Sequence, residues 1–206
     1  MRQKLTYQFT TNPKFLRQYY RLRKIIYNVD LGISIPDYKD HIDSISETLV
    51  VRKKQKCVGG CRLTICTPNS RNILPFENED FRLYNLLPHL NLKKNSYAEF
   101  SRLVLLSEYR NSKIAEKMYA ALNKKAKQHG IRYIFVITDK VHARRYMRSY
   151  RKLGYNVEII SSVDIPESVR SKYSGIVECL IMLDLKPERN FVFQEKMSNV
   201  VELMAY

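Results

Sequence analysis

The chain has 206 residues, 45% hydrophobic and 27% charged, with six Gly and seven Pro, which suits one buried core and excludes disordered, collagen-like and low-complexity classes. Lys and Arg number 36 against 20 Asp and Glu, a formal charge of +16, which predicts an acidic partner surface, ligand or polymer and says nothing about fold. The opening MRQKLTYQFT lacks an apolar signal core, and no apolar run approaches the roughly 20 residues that cross a bilayer, so a cytoplasmic protein without a membrane span is expected.

Asn12-Pro13 predicts a helix start, since Asn caps and Pro is tolerated at the first helical position. Phe15, Tyr19, Leu22 and Ile26 then recur on one helical face, and the same helix carries Lys14, Arg17, Arg21, Arg23 and Lys24 without an acid among them. From Asp30 to Glu47 no period survives, and Gly32 and Pro36 punctuate a loop containing Asp37, Asp40 and Asp43. Thr48 to Arg52 and Cys57 to Cys66 predict a hairpin across Lys53-Lys54-Gln55-Lys56. Cys57, Cys61 and Cys66 are spaced C-x3-C-x4-C, with Cys179 far away. That spacing is not the pairing of common zinc sites, so buried reduced thiols and no metal are expected. Residues 67–96 look irregular, with a short helix near Leu83 to Leu87.

A strand is predicted from Tyr97 to Leu106. Alternation puts Tyr97, Glu99, Ser101 and Leu103 on one side and Phe100, Arg102 and Val104 on the other. A cap at Asn111 or Ser112 opens a helix with Ile114, Met118 and Leu122 in step, closed by Gly130. Ile131 to Thr138 is a mostly apolar strand, His142 to Leu153 a second helix stopped by Gly154, and Tyr155 to Ile160 a further strand. Val177 to Leu185 adds another, and Phe191 to Met204 is a mixed amphipathic segment. Strand, helix, strand, helix, strand implies a parallel crossover unit in one α/β domain.

The turn between Leu106 and Ser112 feeds a strand into a helix N-terminus, whose free N–H groups and dipole suit a phosphate, and Arg110 adds a cation there. The run Arg110-Asn111-Ser112-Lys113-Ile114-Ala115, with Tyr150-Arg151-Lys152-Leu153-Gly154-Tyr155 closing the second helix, resembles the cofactor loop and helix end of GNAT acyltransferases. Four further matches stand in order: Arg23, Asp40 with Asp43, Gly60-Cys61-Arg62-Leu63, and Glu99-Phe100-Ser101-Arg102. Together they resemble the acyl-homoserine lactone synthases and N-acyl amino acid synthases, which share the GNAT core. Ile33 stands where the lactone synthases carry an aromatic, and Lys113 where GNAT enzymes carry Gly. The resemblance implies a single GNAT-like domain, a mixed sheet with a splayed central strand, and an acyl-phosphopantetheine donor, from an acyl carrier protein or coenzyme A.

It also implies roles that make chemical sense. An α-amine with a pKa near 8 must lose a proton before it attacks a thioester. Glu99, taken to face the cleft from a rigid strand, would accept that proton, and Ser101 would bond the acyl carbonyl or orient the acceptor. Backbone N–H groups of Leu103, Val104 and Leu105 would hold the oxyanion. Tyr150 would protonate the departing thiolate, and Arg110, Ser112, Lys113, Ile114 and Ala115 would meet the cofactor. Arg23, Asp40, Asp43, Arg62 and Arg102 would form a charge network fastening the N-terminal helix and loop over the acyl channel. His41, His89, His129 and His142 are assigned no role.

Residues 101–155 hold fourteen Lys and Arg against three acids, mainly on the two helices flanking the phosphate turn. An acidic acyl carrier protein would be steered by such a rim. An acetyl-CoA-dependent acetyltransferase is the alternative, and Lys113 with the Glu99 to Arg102 run favours the carrier-dependent reading. A basic, Tyr-rich surface also suits a nucleic-acid binder, yet no zinc-finger, helix-turn-helix or RNP-like signature is present.

Overall fold

In the computed structural model, residues 4–33, 39–70, 72–173 and 177–187 are described; the segment Phe191 to Met204 lies outside them. Seven strands among these residues form one mixed sheet in the order β1-β2-β3-β4-β5-β7-β6. They are β1 (Leu5–Phe9), β2 (Ser46–Lys53), β3 (Lys56–Cys66), β4 (Tyr97–Leu105), β5 (Tyr133–Thr138), β6 (Tyr155–Ile159) and β7 (Cys179–Pro187). Helices α1 (Pro13–Ile25), α2 (Leu83–Leu86), α3 (Ser112–Gln128), α4 (Lys140–Lys152) and α5 (Glu167–Arg170) flank it.

Capping explains where the long helices begin. Asn12 accepts from the Lys14 N–H at 2.9 Å, Asn111 from Ile114 at 3.1 Å, and Asp139 from both Val141 and His142 at 2.8 and 2.9 Å. Gly130 and Gly154, at φ 67° and 76°, end α3 and α4 in the left-handed conformation that glycine adopts cheaply. Helices α3 and α4 cover one face through Met118, Leu122, Ala143 and Tyr146, whereas Tyr19 and Leu22 of α1, with Ile26 just past its end, cover part of the other against Val50 and Val104.

Strand β1 was not foreseen, although Leu5, Tyr7 and Phe9 alternate with exposed Thr6 and Gln8. The crossover holds for β4 and β5, which run parallel. It stops there, because β7 inserts antiparallel between β5 and β6. All four cysteines are buried and free.

Strand β4 departs from simple alternation. Arg62 pairs with Ser101 but Gly60 with Val104, so one extra residue bulges out near Arg102, which sits at φ 56°. The bulge reverses the expected sides. Leu103 packs into the α3–α4 cluster with Phe100 and Leu105, and Val104 moves to the α1 face. On its other edge β4 pairs with β5 only at Tyr97, Ala98 and Glu99. Beyond Glu99 the strands part.

Candidate active site

The fork between β4 and β5 opens into a cleft of about 720 Å³. Leu103, Val104 and Leu105 form one wall and Ile137, Thr138 and Asp139 the other. Asn111, Ala115 and Tyr119 of α3, Tyr146 and Ser149 of α4, and Tyr27, Leu31 and Tyr173 close the rest. Among the described residues the β4 edge facing β5 has no strand partner past Glu99; side chains take the Arg102 and Leu105 carbonyls, and the N–H groups along this edge can meet a ligand. Such an edge can pair with a pantetheine amide and present N–H groups to a developing oxyanion.

Glu99 stands at the fork but not in open solvent. The residue is 1% exposed, and its Oε2 has no partner among the described residues. The expectation of a cleft-facing carboxylate is thereby corrected to an enclosed one. The loop carrying Phe76 packs over this face, and Tyr173, which lines the cleft, lies within electrostatic reach of the carboxyl. Burial pushes its pKa up to about 8, against the pull of Arg62, the Ser101 hydroxyl, the Phe76 backbone and Arg102.

Beside it the five expected charges meet in one network. Arg23 grips Asp43 with two hydrogen bonds of 2.8 and 2.7 Å. Arg62 reaches Asp40 at 2.7 Å and Asp43 at 3.2 Å, and donates to Ser101 Oγ at 3.3 Å. Arg102 approaches Asp40 at 3.6 Å and lies over the Tyr27 ring. Asp40 and Asp43 also cap one another's backbone N–H, which explains their spacing of three. Burial opposes ionisation of Asp43, but the Arg23 contact and the Arg62 charge overcome it and hold its pKa below the usual range.

The remaining candidates divide. Ala115 lines the cleft, Ile114 packs against the core, Lys113 is exposed and Ser112 opens α3. Arg110 lines the cleft too, as a cation held by two partners. Its Nε donates to the Leu105 carbonyl at 2.8 Å and its guanidinium pairs with Asp30. Tyr150 is 2% exposed and stacks on Tyr119 at 4.9 Å between ring centres, its hydroxyl without a partner among the described residues. Tyr119 and Tyr146 reach the cleft wall from that side.

Two site features went unread in the sequence. His142 lines the cleft and pairs with Asp139 at 2.5 Å; their spacing of three at a helix start was the available signal. The Asp30–Arg110 pair joins residues eighty positions apart and left no local signal.

The family model of acetyltransferases (GNAT) matches residues 14–155. The chain therefore belongs to the GNAT family, and it is an acyltransferase. No curated protein matches it in sequence. Among solved structures it is similar to FeeM, an N-acyl amino acid synthase from uncultured soil microbes, with 12% identity, a TM-score of 0.62 and coverage of 87% of this chain and 89% of that one. It is also similar to the AHL synthase LasI, with 16% identity, a TM-score of 0.59 and coverage of 89% and 91%. The CoA-dependent acyl-homoserine lactone synthase BjaI, solved with SAM and isopentyl-CoA, matches with 16% identity, a TM-score of 0.59 and coverage of 91% and 83%. At such identities the likeness establishes the shared fold. Among the described residues no helix is long and apolar enough to cross a membrane.

Proposed function

We propose that the protein transfers a fatty acyl group from an acyl carrier protein thioester to the amine of an amino acid or an amino-acid derivative. The observation that carries this reading is the enclosed Glu99 at the point where β4 and β5 separate. An ordinary carboxylate near 4.3 is a poor base for an ammonium near 8. Raised to about 8, Glu99 is matched to the proton it must take.

In the step proposed, Glu99 takes a proton from the acceptor ammonium through a water, since its carboxyl is enclosed beside the cleft rather than on its wall, and the freed amine attacks the thioester carbonyl. The tetrahedral oxyanion is held by backbone N–H groups of β4 between Leu103 and Leu105. Collapse forms the amide and expels the pantetheine thiolate. In the collapse the attacking nitrogen sheds its second proton, which the tyrosine cluster relays to the sulfur through Tyr150 or cleft-lining Tyr146, each hydroxyl giving one proton as it takes another and so staying neutral in its buried setting; Glu99 then returns its proton to water. Ser101 and the Arg23–Asp43–Arg62 network position the reacting groups and do not exchange protons. The pantetheine arm, supplied with each substrate molecule, lies along the free edge of β4 and the start of α3.

Charge supports the carrier protein as donor. Arg145, Arg148 and Lys152 line the cleft, and Lys113, Lys117, Lys124, Arg144 and Arg151 are exposed on the same two helices. The test is reconstitution of the purified chain with an amino-acid mixture and acyl-carrier protein, long-chain acyl-CoA or acetyl-CoA, read by mass spectrometry. An N-acyl amino acid formed fastest from the carrier thioester is expected; acetylation from acetyl-CoA alone overturns the reading.

A further inference from the structure

The outer face of α1 takes no part in the chemistry above. Lys14, Arg17 and Arg21 fall at helical steps of three and four and are all exposed, opposite the buried Tyr19, Leu22 and Ile26. Between residues 4 and 29 there is no Asp or Glu. The same stripe continues in steps of four to Ile25, which is 59% exposed, and Val29, which is 76% exposed. Val29 lies on the wide π-type turn Ile26–Asp30, and the neighbouring Leu31 is 46% exposed and lines the mouth of the cleft.

The β2–β3 turn brings further cations beside this stripe. Gln18 donates to the Gln55 carbonyl at 3.2 Å and accepts from the Cys57 N–H at 2.9 Å, and Arg52 lies over the Phe15 ring. Lys54 and Lys56 are exposed there.

We propose that this face seats the protein on an anionic lipid bilayer, with the cations among the headgroups and Ile25, Val29 and Leu31 at the acyl boundary. The apolar face of α1 is used by the core, but cations beside exposed aliphatics supply the two attractions that hold a protein at an anionic interface, headgroup charge and apolar burial. An acidic carrier protein or a nucleic acid satisfies the charges but offers no apolar phase for adjacent aliphatic side chains. A neutral apolar partner leaves the cations without a role. The seat places the cleft mouth at the lipid surface. Only that advantage, release of an amphiphilic product beside lipid, rests on the acyl-transfer reading; binding itself is measured without thioester or acceptor.

The chain contains no Trp, so Val29→Trp creates a single reporter on the stripe and Lys117→Trp one on exposed α3. With mixed phosphatidylglycerol–phosphatidylcholine vesicles, the Val29→Trp emission is expected to shift to the blue and to be quenched by brominated lipid. The Lys117→Trp emission should stay at its aqueous position while the protein is bound. Lys14→Glu/Arg17→Glu/Arg21→Glu should lower vesicle partitioning at least about tenfold more than the charge-matched Lys113→Glu/Lys117→Glu/Lys124→Glu. Ile25→Ser/Val29→Ser should weaken binding about tenfold in the presence of salt. All these positions are exposed, and unchanged thermal melting verifies folding. The proposal is overturned by absent vesicle binding, by a Val29→Trp emission that remains aqueous on bound vesicles, by equal loss in the two charge reversals, or by a shift that follows protein concentration without lipid.

Discussion

The hydroxyl of Tyr19 donates a 2.8 Å hydrogen bond to the backbone carbonyl of Arg102, tying α1 to the residue at which β4 bulges. Gly60 makes the contact possible. A Cβ there would stand 2.5 Å from the Leu49 carbonyl oxygen and 2.7 Å from the Tyr19 ring. Gly60→Ala is therefore expected to cost on the order of 1–3 kcal/mol through forced repacking, and Tyr19→Phe about 1–2 kcal/mol through an unpaired carbonyl. Urea denaturation measures both, and both should also lower acyl turnover by loosening the cleft wall.

The buried ion network separates its two aspartates. Asp43 serves both Arg23 and Arg62 from a side chain with no exposure, whereas the Asp40 side chain is 28% exposed. Asp43→Ala takes the carboxylate from buried Arg23 and leaves Arg62 with Asp40 as its one acid, and should cost about 3–5 kcal/mol, with Asp40→Ala clearly milder. Because the folded pKa of Asp43 is lowered, its contribution is present above the unfolded value of about 3.9 and is lost as pH falls through the folded value. The wild-type chain should lose stability below about pH 4 more steeply than Asp43→Asn.

Glu99 has the opposite sign. With its folded pKa raised to about 8, the unfolded chain releases this proton from about pH 4.3 upward while the folded chain keeps it. Stability therefore falls as pH rises through that window. Glu99→Gln removes the penalty, so it should melt higher than wild type at pH 8 and nearly equal to it at pH 4. Its acyl turnover should fall by about 10²–10⁴. The wild-type rate should climb as pH passes through about 8; a turnover unaffected by pH between 6 and about 9 removes Glu99 as the base.

Salt and surface charge provide an independent check on the donor. Arg145→Glu/Arg148→Glu should raise KM for the acyl-carrier protein about tenfold or more, with kcat changed little, and rising salt should mimic the effect in wild type. With acyl-CoA as donor the two substitutions should matter less.

Much of this architecture is local and was legible in the residues. Asn12-Pro13 and Asn111 cap helices through their own side chains, and Gly130 and Gly154 terminate them, whereas the Asp139 cap that starts α4 two residues before the expected His142 was missed. The network residues were legible only through the family resemblance; the reciprocal cap that fixes the spacing of Asp40 and Asp43 shows itself in the fold. The bulge was not legible, since its positive φ falls on Arg102 rather than on a glycine, and the Tyr19 hydroxyl that bonds its carbonyl comes from 83 residues away. The enclosure of Glu99 was hidden for a related reason. The loop that contributes Phe76 has no hydrophobic period, yet Glu77 staples it by accepting from the Leu74 and Leu83 N–H groups at 2.9 and 2.8 Å. Tyr150, expected at the sulfur, packs in a four-ring cluster with Phe100, Tyr119 and Tyr146, a neighbourhood assembled from three separate elements and not legible in its own stretch of sequence.

The proton-accepting role of Glu99 in amide formation is tested most directly by mass spectrometry of lipid extracts from cells expressing the wild-type chain or Glu99→Gln at equal abundance. A long-chain N-acyl amino acid present with the wild type and lost with the variant is the predicted result. The same product in both extracts, or in neither, contradicts it.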